Sequence, residues 1–352
     1  MKKAYLVLSN GRVFEGTRLG AEGTAMGELV FTTGVVGYLE TLTDPSFAGQ
    51  IVVQTFPLIG NYGIMEEDAE SGCVPAGYVV RECCDAPSNF RSQYELDAFL
   101  KARGVAALCG VDTREITRLL REEGTMSALI TDEIPADFAA ACTAPAVTAG
   151  ATAPAVCPAE GDRRFAVTLI DYGVRRSTVR SLCQRGCEVT VVPKDTAAET
   201  ILAAAPDGVV LSEGPGDPAA MTAYLPNIQK LIGQVPVLGL GLGHQLAALA
   251  MGGETVKLPH GHRGGNQPVS ETAGTRTYIT AQNHGYTVVG ESLNGVAKVS
   301  FVNANDGTCE GLTYPGKSCF TLQFTPDGGT GPHSTGFLFD RFLSMMAGVS
   351  HA

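Results

Sequence analysis

The 352-residue chain carries 25 Lys and Arg against 36 Asp and Glu, a formal net charge of −11, with 44% hydrophobic and 17% charged residues. That balance is ordinary for a soluble globular protein and offers no basic patch for nucleic acid or an anionic membrane surface. The opening apolar run stops at Ser9-Asn10-Gly11, too short for a signal-peptide core, and no run reaches membrane-spanning length, so a two-domain cytoplasmic protein is expected.

The first domain is assigned to residues 1–133. Residues 5–8 and 12–16 flank Asn10-Gly11 and predict a β-hairpin. Residues 28–33 and 50–55 read as further strands. Helical periodicity runs over 95–103 and over 113–123, where Ile116, Leu119 and Leu120 share a face. This part is α+β. Residues 134–163 are rich in Ala, Pro, Thr and Gly and bury too little to order themselves, which predicts a flexible linker.

Residues 164–352 change character. Apolar strands at 165–170, 187–192 and 207–212 alternate with helices at 175–185 and 196–205, which predicts an α/β domain built on a parallel sheet flanked by helices. Ligands in such sheets bind beyond the strand C-termini. The third strand ends at Glu213-Gly214-Pro215-Gly216-Asp217-Pro218. A fourth, 235–240, runs into Gly241-Leu242-Gly243-His244-Gln245 and a helix. Strand, tight turn and helix make a nucleophile elbow, which holds one side chain above the sheet at a helix N-terminus. The tip of this elbow is Gly241, which has no side chain. The Gly239-x-Gly241-x-Gly243 spacing does not fit a dinucleotide loop.

Beyond the elbow, residues 260–268 read as a polar, glycine-rich loop and 278–286 as a strand entering a polar turn. A last strand, 319–324, ends at Thr325-Pro326-Asp327, and a closing helix covers 335–346. The ten cysteines show no paired metal-ligand spacing, Cys183 and Cys187 included. They are expected to be reduced thiols, and no metal site is predicted.

Gly239-Leu240-Gly241-Leu242-Gly243-His244-Gln245 resembles the elbow of class I, triad-type glutamine amidotransferases, and Glu213 to Pro218 resembles their oxyanion loop. Gly37-Tyr38, Thr43-Asp44-Pro45-Ser46, Asp112-Thr113-Arg114, Gly261-His262-Arg263-Gly264-Gly265-Asn266 and Gln282-Asn283-His284-Gly285-Tyr286 together resemble the small subunit of carbamoyl-phosphate synthase, in the same order along almost the whole chain. The resemblance implies a class I glutamine amidotransferase domain preceded by a smaller small-subunit domain. Family members hydrolyse glutamine and pass ammonia to a large subunit that makes carbamoyl phosphate for pyrimidine and arginine synthesis. It implies ATP and Mg in that large subunit, with no cofactor in this chain, and it implies a heterodimer. It also implies glutamine contacts at Ser46, Gly214, Gly216, Leu242, Gln245, Asn283, Gly285 and Tyr286.

The decisive positions depart from the family pattern. Gly241 stands where the nucleophilic Cys belongs, Thr325 where the catalytic His belongs, and Asp327 where a Glu orients that His. The linker also lacks the family's Gly-x-Asp-Leu piece. Cys309 and Cys319 belong to other segments, while His244 and His333 read as packing and turn residues. The expectation is a small subunit whose own glutaminase is lost. The competing expectation is a stand-alone glutamine-binding pseudoenzyme that pairs with no synthase.

Overall fold

The computed structural model describes residues 2–136, 149–326, 331 and 334–348, in two compact units, Met1–Thr148 and Ala149–Ala352. In the first unit β1 (Lys3–Leu8) and β2 (Val13–Gly20) form the hairpin across Asn10-Gly11. They join β3 (Ala25–Thr32), β4 (Gln50–Gln54), β6 (Gly77–Val80), β8 (Ala106–Cys109) and β9 (Met126–Thr131) in a closed barrel of order β1-β2-β8-β6-β4-β3-β9, while β5 (Leu58–Ile59) and β7 (Glu82–Cys83) pair separately.

Alternation along the strands feeds two cores. Ile51 and Val53 pack with Ile116, Leu119 and Leu120 of the helix Thr113–Glu123. Val52, Tyr78 and Val80 pack with Leu96, Phe99 and Leu100 of the helix Leu96–Ala102. The sequence Gly37–Ser46 folds as a short helix, Tyr38–Thr43, and a 3-10 turn, Pro45–Phe47, capped by the Asp44 carboxylate.

The second unit is one ten-stranded sheet. In sequence its strands are β10 (Ala155–Cys157), β11 (Phe165–Asp171), β12 (Cys187–Pro193), β13 (Gly208–Leu211), β14 (Val237–Leu240), β15 (Glu254–Glu271), β16 (Thr277–Val289), β17 (Lys298–Asn303), β18 (Cys309–Tyr314) and β19 (Cys319–Leu322). In space they run β10-β12-β11-β13-β14-β19-β18-β16-β15-β17. Only β12, β11, β13, β14 and β19 are mutually parallel. The rest are antiparallel, so the expected parallel sheet is the centre of a mixed one. Hairpin connections carry no crossover helix, and that imposes antiparallel pairing.

Residues 260–268, expected as a loop, lie inside β15. Glycine and polar content reads as a loop, but two register shifts in the β15–β16 pairing absorb it, with Gly261 at φ 66° and Gly264 at φ 123°. Within the stretch expected as a linker, Ala155–Cys157 adds an edge strand to β12; residues 137–148 lie outside the described residues.

The helix Leu242–Ala250 packs Leu246, Ala247 and Ala248 against one face of the sheet. The other face takes Leu182 and Cys183 of Arg176–Gln184 and Leu338, Phe339, Phe342 and Leu343 of Phe337–Met346. Each such fully buried Leu or Phe contributes about 1.5–3 kcal/mol. Among the described residues no helix is long and apolar enough to cross a membrane.

Candidate functional site

Parallel order places the C-terminal ends of β13, β14 and β19 side by side. From β13 the chain enters Ser212 to Gly216, from β14 it turns at Gly241, and from β19 it continues through Gln323 to Thr325. The turn is tight because glycines let backbone meet backbone. A Cβ on Gly243 would lie 2.2 Å from the Leu211 carbonyl oxygen, and one on Gly214 2.4 Å from that of Tyr172. The Gly243 N–H donates to Ser212 O at 2.9 Å, and the Gly241 N–H donates to Leu322 O at 2.9 Å. The elbow tip is thus fastened to both neighbouring strand ends.

Gly241 itself sits at φ 50° and ψ −111°, a conformation that costs an ordinary residue about 1–3 kcal/mol. The turn has the strand–turn–helix geometry of an elbow, and glycine brings no side chain to its tip. Where a Cβ would stand, the nearest atom is Glu213 Cβ at 3.1 Å. Glu213 is buried; its Oε1 accepts from Thr178 Oγ1 at 2.6 Å and from Arg175 Nε at 3.3 Å. Its Oε2 has no hydrogen-bond partner. No role was expected for Glu213, although a carboxylate directly before Gly-Pro-Gly at a strand end is a signal the sequence carries.

Thr325 is buried and makes an isolated antiparallel bridge with Ala281. Its hydroxyl cannot act as a base at neutral pH. Asp327 and His333 lie outside the described residues. His244 offers no replacement base. It is fully buried, its Nδ1 lies 2.7 Å from Thr321 Oγ1, and desolvation pushes its pKa down to about 3. Among the described residues, neither Cys319 nor Cys309 offers a thiolate at the elbow. Cys319 opens β19 beside Val237, at the opposite end from Gly241, and burial raises its thiol. Cys309 is buried in β18 and pushed up to about 12.

The residues expected to hold glutamine fall in four places. Gly214 and Gly216 line the loop after β13, and Gly216 has φ 104°. Leu242 and Gln245 are buried in the first turn of the elbow helix, where Gln245 Nε2 donates to Tyr286 O at 2.8 Å and to Gln323 Oε1 at 2.9 Å. The first bond ties the helix to β16, which carries Asn283, Gly285 and Tyr286, and the second ties it to the end of β19. Asn283 Nδ2 is buried with no hydrogen-bond partner, a donor still unused. Ser46 lies in the first unit, buried in the 3-10 turn, its backbone N–H donating to Asp44 Oδ1 at 2.8 Å. Gln323, two residues before Thr325, joins helix to strand and was not anticipated.

The site can therefore offer hydrogen bonds and a shaped strand edge, but at its elbow no nucleophile. Known proteins match both parts of the chain. Residues 6–130 match the family model for the carbamoyl-phosphate synthase small chain, CPSase domain, and residues 168–345 that for class I glutamine amidotransferase. The chain is 42% identical to the carbamoyl phosphate synthase small chain of Syntrophotalea carbinolica, over 98% of each chain. It is 44% identical to that of Listeria monocytogenes serotype 4b, over 99% of this chain and 98% of the relative. It is also 44% identical to that of Archaeoglobus fulgidus, over 98% and 99%. The chain belongs to the carbamoyl-phosphate synthase small-chain family and carries a class I glutamine amidotransferase domain.

Proposed function

We propose that this chain is the small subunit of a carbamoyl-phosphate synthase, that it pairs with the ATP-using large subunit, and that its own glutaminase is silent. The observation that carries the second half is Gly241 at the elbow tip. Triad chemistry begins with a thiolate attacking the amide carbon, and removing a nucleophile from such a site costs on the order of 10^6 in turnover. Thr325, where the family has its His, supplies no acid for the departing ammonia. Asn283, Gln245 and the loop glycines remain, which favours a site that binds glutamine without cleaving it.

The experiment is carbamoyl-phosphate synthesis by this chain co-expressed with its cognate large subunit. Ammonium is expected to support synthesis, whereas glutamine alone gives background rates and no glutamate. Glutamine turnover at rates normal for the family would overturn the proposal. Two separate peaks in size-exclusion chromatography at micromolar concentration would favour the stand-alone glutamine-binding protein.

A further inference from the structure

Next to the strand segment that carries Asn283 and Tyr286, β15, β16 and β18 bring His262, His284 and Glu310 together, all buried, with one possible ligand atom from each lying within 4.8 Å of the others. His262 and His284 face each other across the β15–β16 pairing, their rings edge to face at 4.9 Å. Residues 262, 284 and 310 follow no short ligand motif, so only folding brings them together.

Counting donors shows what the cluster lacks. Gln282 Nε2 donates to Thr280 Oγ1 at 3.1 Å and to Glu310 Oε2 at 2.9 Å, which uses both amide hydrogens. Gln282 Oε1 is therefore the atom 3.0 Å from His284 Nε2. The other nitrogen, His284 Nδ1, lies 2.8 Å from the Tyr286 carbonyl, and the proton of a neutral ring belongs there. A ring lone pair thus faces a carbonyl lone pair. His262 repeats the pattern. Its Nε2 donates to Asp306 Oδ2 at 2.9 Å, leaving the Nδ1 lone pair 3.3 Å from Glu310 Oε1. Asn303 Nδ2 is a marginal donor between them, 3.3 Å from His262 Nδ1 and 3.4 Å from Glu310 Oε1.

Acceptors that face acceptors in a buried site call for a cation. We propose that His262 Nδ1, His284 Nε2, Glu310 Oε1 and Gln282 Oε1 bind one divalent cation of the zinc class. Tetrahedral ligands at about 2.0–2.1 Å from such an ion stand about 3.4 Å apart. The separations of 3.0 Å and 3.3 Å above, and 3.9 Å between His284 Nε2 and Glu310 Oε1, lie near that value, and the ligand atoms of His262, His284 and Glu310, spread within 4.8 Å, close in by side-chain rotation as the ion binds. The outer partners are those a metal-bound histidine uses, a carboxylate on one ring and a backbone carbonyl on the other. Two nitrogens with two oxygens favour zinc, cobalt or nickel over calcium or magnesium. The bound ion pins β15, β16 and β18 to one another and so braces the strand that carries Asn283.

The test uses the full chain, stripped with EDTA and titrated with Co2+ and then Zn2+. One equivalent is expected, giving visible d–d bands without thiolate charge-transfer bands. Glu310→Gln should abolish the bands. Asp306→Asn, a change at a half-exposed side chain, should leave the circular dichroism unchanged and weaken binding about 10–100-fold. No saturable binding at tens of micromolar, thiolate bands, or unchanged affinity in both variants would overturn the proposal, and the rings would then be held by protons alone.

Discussion

Gly241 combines a backbone that disfavours any side chain with a neighbour that disfavours a nucleophile. The first is its φ of 50°; the second is Glu213, whose Cβ stands 3.1 Å from where a side chain would begin. A cysteine placed there would gain from the helix N-terminus, whose field is worth up to about 2 kcal/mol. The Glu213 carboxylate opposes the thiolate, by roughly 3 kcal/mol for unit charges about 5 Å apart at an effective dielectric constant near 20, and Arg175, 3.3 Å from Glu213 Oε1, offsets part of that. The carboxylate therefore wins. The thiol of Gly241→Cys is expected to titrate above the ordinary value of about 8.5, and adding Glu213→Gln should lower it by ~1–2 units. The pH profile of iodoacetamide alkylation, followed by peptide mass spectrometry, reads this directly. Fast labelling of Gly241→Cys at pH 7, with no response to Glu213→Gln, would show that Glu213 does not control the position.

Among the elements, those with a single clear period were legible in sequence. The helix Thr113–Glu123 spans the predicted residues because its apolar side chains recur at helical spacing and Asp112 precedes them as a cap. Its carboxylate accepts from the Glu115 N–H at 3.0 Å. Asp112→Ala should cost this helix about 1 kcal/mol, seen as faster hydrogen exchange at its first-turn amides with exchange in the second unit unchanged. Unchanged exchange in that turn would mean that the cap is redundant. The parallel strands and the elbow were legible for the same reason. β15 was not, since its bulges interrupt the two-residue period and its glycines imitate a loop. The candidate site divides along the same line. Gly241 and Gln245 sit where local pattern puts them, whereas the contacts of Glu213 with Thr178 and of Gln323 with Gln245 span 35 and 78 residues. No local pattern carries contacts of that range.

For the molecule as a whole, stability is a sum over the cores of two units, and in the second unit buried histidines make it depend on pH. Unfolded, His244 takes up a proton near pH 6.5; folded, it does so only near 3, because burial penalises the charged ring. Between those values the unfolded chain binds a proton that the folded chain refuses, so stability falls as pH falls, by about 1.4 kcal/mol per pH unit. Above pH 6.5 this contribution is constant. His284 is lowered by desolvation and acts in the same direction. At His262 burial works to lower the value, but Glu310 and Asp306 raise it on balance, so its contribution has the opposite sign. A single substitution separates His244 from the other two. His244→Gln keeps a polar group facing Thr321 and removes the titration. The wild type should therefore lose about 2 kcal/mol relative to this variant between pH 6.5 and 5. The chain has no tryptophan, so urea unfolding is best followed by far-ultraviolet circular dichroism, with EDTA present to keep the other histidines metal-free. Parallel stability curves for the two proteins over that interval would mean that His244 is solvated or protonated in the folded state.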